Sequence, residues 1–163
     1  MTDQATGGKP VVLLRPAPQI SSRVFSDDAL RRLHERYTVI DGEADPSEET
    51  IEACLPDVFA IIGQPDLPRE RLARAPKLRA ILNVEGNFFP NVDYDACFER
   101  GINVVACMPT YAQAVAEFSL GLAIDLARGI SREDRAFREG REGYVFQSTG
   151  DSILLRGSEM GIL

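Results

Sequence analysis

Five times along this sequence a short apolar segment is followed by a polar segment carrying helix-start signals. That rhythm constrains the fold more than any other feature. Parallel strands cannot be joined by a tight turn and need a crossover of a dozen or more residues, usually a helix. The first apolar run is Val11–Arg15, stopped by Pro16 and Pro18. Ser26, Asp27 and Asp28 then offer caps for a helix over Ala29–Arg36, with acidic side chains at its positive end. Tyr37–Ile40 reads as the second strand, and Ser47-Glu48-Glu49 caps a helix that runs to about Leu55 before Pro56. Val58–Ile62 is the third strand, and Arg69–Ala75 is a short helix closed by Pro76. Leu78–Asn83 is the fourth, leading into the loop Val84–Pro90. A helix over Tyr94–Arg100 stops at Gly101, and Ile102–Ala106 is the fifth strand. These strands are apolar without alternation, as a sheet covered on both faces requires. The expectation is an α/β fold with a doubly wound parallel sheet and right-handed crossovers.

After Pro109 the rhythm changes. Ala112–Ile130 predicts one long helix whose only charges are Glu117, Asp125 and Arg128. Apolar residues surround it, so it is expected to be buried between layers or against a second subunit. Ser131 restarts a polar helix to about Arg141, and Ser152–Leu155 reads as a small turn or strand. Arg156–Leu163 then opens another strand, and the sequence ends inside it.

Composition excludes several function classes. A net charge of −7 argues against nucleic acid or an anionic membrane as partner. The longest apolar runs are far too short to span a bilayer, and Met1–Pro10 has no apolar core of a signal peptide. Cys54, Cys97 and Cys107 form no C-x-x-C pair, and His34 is the only histidine, so a structural zinc site is not expected. Scattered thiols of odd number fit buried cysteines in a reducing, cytoplasmic compartment.

Two stretches carry a resemblance. One runs from Pro76-Lys77 through Val105 and contains a strand, a glycine-bearing loop, Asn91-Val92-Asp93, a helix and the strand Gly101-Ile102-Asn103-Val104. The other is Ala114-Val115-Ala116-Glu117-Phe118 followed by Leu120–Ile130. In this order and spacing they resemble the front half of the D-isomer-specific 2-hydroxyacid dehydrogenases. The resemblance implies a flavodoxin-like substrate lobe over 10–109, after a flexible start at 1–9. Residues 110–163 would be a hinge helix and the first strand of a Rossmann lobe. It also implies that the glycine-rich pyrophosphate loop, the ribose-reading acid and the catalytic arginine, histidine and carboxylate lie beyond Leu163. The chain is therefore expected to hold no catalytic residue and to bind neither NAD nor NADP tightly, although the intact family member uses one of them. His34 sits on a charged helix and is expected to be a surface residue.

By the same resemblance, the main-chain N–H groups of Gly86, Asn87 and Phe88 hold the carboxylate of a small 2-hydroxy or 2-oxo acid, and Asn87 approaches the nicotinamide. Backbone donors suit an anion because they need little reorganisation. The loop departs from the family pattern at Phe88, where glycine is usual, and at Pro90, where aspartate is usual. Glu85 is expected to turn its carboxylate away. Gln64, in the loop after the third strand, is a further substrate-contact candidate. No arginine stands beside Gly63 in sequence, which counts against a phosphorylated substrate. The helix 112–130 implies a homodimer. The alternative is a non-catalytic flavodoxin-like binding or interaction module. A phosphoacceptor receiver is disfavoured by Arg15-Pro16 and Gly63 where aspartates belong, and an FMN site by Arg15-Pro16-Ala17-Pro18 where a Ser/Thr/Gly-rich loop belongs.

Overall fold

The computed structural model describes residues 8–143 and 152–161. The chain divides into two compact units, Met1–Thr110 and Tyr111–Leu163. The first unit is a five-stranded parallel sheet in the order β2-β1-β3-β4-β5. Its strands are β1 (Val11–Arg15), β2 (Thr38–Asp41), β3 (Val58–Gly63), β4 (Ala80–Asn83) and β5 (Asn103–Ala106). The helices between them are α1 (Ser21–Val24), α2 (Asp27–Arg36), α3 (Glu48–Cys54), α4 (Arg69–Ala73) and α5 (Tyr94–Glu99). This is the doubly wound, flavodoxin-like order expected from the sequence.

Local chemistry sets the helix starts. The side chains of Ser26, Ser47 and Asp93 each accept a hydrogen bond from the N–H three residues on, capping α2, α3 and α5. Helix α1 falls between the Pro16–Pro18 stop and the helix expected at Ala29, in a stretch with no predicted element. It is four residues long and has no side-chain cap, so it carries almost no signal.

Two apolar clusters cover the two faces of the central strands. Leu13, Ile61 and Ile81 point to one face and pack with Ile51 and Leu55 near α3, Leu72 of α4 and Ala96 and Cys97 of α5. Val12, Leu14, Ala60 and Ile62 point to the other and meet Val24, Phe25, Leu30 and Leu33. The period of two along β1 and β3 thus feeds both cores, which is why those strands read as unbroken apolar runs. Leu78 is fully buried but precedes β4, so it belongs to the core and not to the ladder.

In the second unit, α6 (Met108–Arg128) begins within the first unit's last residues, four residues ahead of the predicted Ala112. Pro109 sits in its first turn, where its lack of an N–H costs nothing. It ends at Gly129 (φ 66°), and α7 (Ile130–Arg138) follows. Within the single chain no residue of α6 is buried, with Phe118 67% and Leu126 82% exposed. Among the described residues 152–155, expected as a small turn or strand, is irregular, and the strand expected over 156–163 is absent, with a turn at Gly157. A strand exists only with a ladder partner, and no described segment of this unit supplies one. The expected flexible start at 1–9 lies mostly outside the described residues. Among those residues no helix is long and apolar enough to cross a membrane.

Candidate functional site

The loops that follow the strands gather at the carboxyl edge of the sheet, where ligands of open α/β folds bind. The strand order reverses between β1 and β3. There Arg15 pairs in register with Gly63, whose φ is 133°. A Cβ at Gly63 would lie 1.7 Å from the Arg15 carbonyl oxygen, so only glycine permits this approach. A cavity of about 170 Å³ beside it is lined by Arg15, Ala17, Glu48, Gln64, Pro65 and Asp66. Two of its charges, Arg15 and Glu48, are paired with each other. Arg15 reaches Glu48 Oε1 at 3.1 Å and the Pro46 carbonyl at 2.7 Å. Arg71 reaches Glu48 at 2.9 Å, Glu52 at 2.9 Å and the Asp66 carbonyl at 2.6 Å. The Arg15 hydrogen bond, helped by Arg71, holds the Glu48 carboxyl below its ordinary value.

Gln64 spans three loops. Its Oε1 accepts from the Glu85 N–H at 2.8 Å, and its Nε2 donates to the Ala17 carbonyl at 3.2 Å. Glu85 turns its carboxylate to Gln19 Nε2 at 3.2 Å, and its carbonyl accepts from the Cys107 N–H at 3.2 Å. The three remaining sequence candidates follow directly. Gly86 is half-buried, and Asn87 and Phe88 are exposed. The N–H groups of Gly86 and Asn87 have no hydrogen-bond partner among the described residues. The Phe88 N–H is taken by the Asn87 Oδ1 at 2.8 Å. The loop therefore brings together two open donors and one that is covered by its neighbour's side chain.

Tyr94, Asn83 and Gln19 were not singled out in the sequence. Tyr94 donates from its hydroxyl to the Phe89 carbonyl at 2.5 Å and meets the Phe88 ring edge-on at 5.9 Å. Burial raises its phenol above the ordinary value. Asn83 ends β4 fully buried; it lies near enough to Tyr94 to bear on that acidity, yet its amide makes no hydrogen bond of good geometry. Tyr94 left a faint signal, an aromatic with a polar tip just after an N-cap; Gln19 left none.

A wider, open cavity of about 650 Å³ lies between Asp66–Glu70 and Pro90–Asp93. Its arginine, Arg69, is bound to Asp93 at 3.2 Å and Glu99 at 2.7 Å. Among the described residues no cluster of His, Cys, Asp or Glu is placed to hold a metal. His34 is exposed. Cys54 and Cys97 are buried, but Cys107 is only half-buried, contrary to the expectation for all three. Its neighbourhood is a loop at the sheet edge, where packing is thinner. A dinucleotide pyrophosphate needs a glycine-rich turn opening a helix. None of the described strand-to-helix turns has one, so the residues present do not fit that group.

Residues 12–153 match the catalytic domain of the D-isomer specific 2-hydroxyacid dehydrogenases. The chain is 32% identical over 135 residues to glyoxylate/hydroxypyruvate reductase HPR3 of Arabidopsis thaliana, covering 80% of this chain and 40% of that protein. It superposes on a phosphoglycerate oxidoreductase from Rhizobium etli with a TM-score of 0.66 and 39% identity, covering 93% of this chain and 47% of that one. For an NAD-dependent formate dehydrogenase from Staphylococcus aureus, in complex with NAD, the values are 0.51 and 25%, covering 88% and 45%. The chain thus spans less than half the length of each of these relatives.

Proposed function

Because the chain belongs to the D-isomer-specific 2-hydroxyacid dehydrogenase family, we propose that it supplies the substrate-carboxylate side of an NAD(P)-dependent oxidoreductase acting on the CH–OH group of a D-2-hydroxy acid. The observation that carries this reading is the pair of open N–H groups at Gly86 and Asn87, at the carboxyl end of β4. Fixed backbone dipoles suit a carboxylate because they need no reorientation when it arrives. The Phe88 N–H joins them once the Asn87 side chain swings off it. Phe88 and Phe89, 47% and 39% exposed, give the loop an apolar rim. Arg15, the one guanidinium in register with Gly63, is held by Glu48 and Pro46. That arrangement favours a small unphosphorylated acid.

In this reading residues 10–109 are the substrate lobe, and 110–163 are the hinge helix and the start of the cofactor lobe. NAD or NADP supplies the hydride acceptor in the family, and by resemblance Asn87 would approach its nicotinamide. No proton or hydride step is assigned to residues of this chain. The exposed apolar residues of α6 favour a homodimer through 112–130.

Saturation-transfer NMR on the 163-residue chain tests the carboxylate reading. D-lactate should bind saturably, and neutral D-lactamide should neither bind nor compete. Equal binding of the two, or no binding of D-lactate, would overturn it.

A further inference from the structure

We infer that Gln64 and Tyr94 are positioning residues that suspend the loop Val84–Pro90 from its two ends, so that the Gly86 and Asn87 amides are presented in one fixed geometry. The inference rests on the reading of that loop as the carboxylate site. At the entry, Glu85 is tied to three other loops at once. Its N–H goes to Gln64 Oε1 at 2.8 Å, its carboxylate to Gln19 Nε2 at 3.2 Å, and its carbonyl to the Cys107 N–H at 3.2 Å. Gln64 is the strut of this arrangement, because its other end is fixed to the Ala17 carbonyl at 3.2 Å. A glutamine amide offers one acceptor oxygen and two N–H donors. Here the oxygen and one donor are committed to main chain, which fixes the orientation of the side chain.

At the exit, Tyr94 is the first residue of α5, directly after the Asp93 cap. The cap fixes the helix start, and the tyrosine hydroxyl then holds the Phe89 carbonyl at 2.5 Å. Its ring braces Phe88 edge-on, with centroids 5.9 Å apart and planes at 86°. Between the two anchors the only bond among the described residues is the local one from the Phe88 N–H to Asn87 Oδ1. Gly86 and Asn87 are therefore held by their neighbours while their own donors stay open. Donor placement matters at such a site, because a shift of an ångström forfeits most of the benefit of fixed dipoles.

The test uses the 163-residue chain labelled with ¹⁵N and ¹³C. In Gln64→Met, exchange of the Glu85 N–H should rise about tenfold, and the Gly86 and Asn87 amide resonances should move before any ligand is added. Gln64→Glu keeps the acceptor oxygen but loses the donor to the Ala17 carbonyl, so Glu85 protection should return only in part. Tyr94→Phe should move the Phe89 carbonyl carbon resonance while the ring contact to Phe88 persists. Exchange at Ile61 and Ile81 should stay as in the wild type, which separates positioning from loss of fold. D-lactate should bind Gln64→Met about tenfold more weakly. Unchanged Glu85 exchange with unchanged Gly86 and Asn87 resonances would overturn the inference. Should D-lactate move no wild-type amide while the exchange results hold, the carboxylate reading fails and the suspension stands. If D-lactate moves Gly86 and Asn87 yet binds Gln64→Met as tightly as wild type, the positioning role fails and the carboxylate reading stands.

Discussion

Replacing Gly63 with alanine puts the tightest contact in the sheet to a quantitative test. The added Cβ would stand 1.7 Å from the Arg15 carbonyl oxygen and 2.4 Å from its carbon. These are backbone atoms of β1, so no side chain can yield, and the ends of β1 and β3 must part by more than an ångström. The φ of 133° is itself closed to alanine, at a cost of about 1–3 kcal/mol. Parting the strands loses one or two ladder hydrogen bonds, about 1 kcal/mol each. The sum, about 2–5 kcal/mol, is a large share of the ~5–15 kcal/mol that holds an ordinary domain folded. At roughly 4–8 °C per kcal/mol for a unit of this size, the Tm should fall by about 10–40 °C. Two controls bracket the claim. Gly101→Ala meets no atom within 4 Å and carries only a φ of 66°, so it should cost about 1–2 kcal/mol. Gly42→Ala has an ordinary φ and contacts of 3.1–3.3 Å, so it should cost less than Gly63→Ala. Urea and thermal unfolding followed by circular dichroism give all three values. A Gly63→Ala variant no less stable than Gly101→Ala would refute the steric argument.

Other expectations follow from the same geometry. Ile61→Ala empties a fully buried position on the central strand and should destabilise the sheet by about 2–5 kcal/mol in urea unfolding. The Asp93 carboxyl is held below its ordinary value, first by the Ala96 N–H and then by the Arg69 charge. Its contribution is therefore full above the unfolded-state value and is lost as pH falls through the lowered one. The acid side of a Tm–pH profile should accordingly be flatter in Asp93→Asn, which caps without titrating. Burial raises the thiols of Cys54 and Cys97 above their ordinary value, so iodoacetamide followed by mass spectrometry should label Cys107 first. Phe118→Asp with Leu126→Asp should weaken any self-association seen by sedimentation, since both are exposed apolar residues of α6. Mixed with NADH and glyoxylate, the 163-residue chain should show no oxidation at 340 nm.

The sheet was legible because its signals are local and repeated. Apolar runs such as Val11–Leu14 and Val58–Ile62, with caps at Ser26, Ser47 and Asp93, mark strands and helix starts without reference to tertiary contacts. Helix α1 was not legible, because Ser21–Val24 has neither length nor cap. The segment 152–161 was legible only in part, because apolar residues such as Ile153 and Leu154 suit a turn or a strand, and pairing depends on a neighbour that no local pattern specifies. The candidate loop was placed by the motif around Asn91-Val92-Asp93. Its state was not readable, since the Asn87 side chain covering the Phe88 N–H is a matter of rotamer. Gln64 was visible as a polar residue at the right edge. Its ties to Ala17 and Glu85 join residues 47 and 21 positions away and emerge only when the strands are laid side by side.

The central claim is that the loop after β4 receives a carboxylate on the Gly86 and Asn87 amides. The most direct measurement is a titration of the ¹⁵N-labelled chain with D-lactate, followed residue by residue. The Gly86 and Asn87 amides should show saturable downfield shifts, with Phe88 moving as its N–H leaves the Asn87 side chain, and no such response to D-lactamide. Shifts confined to other loops, or a response to both compounds alike, would contradict it.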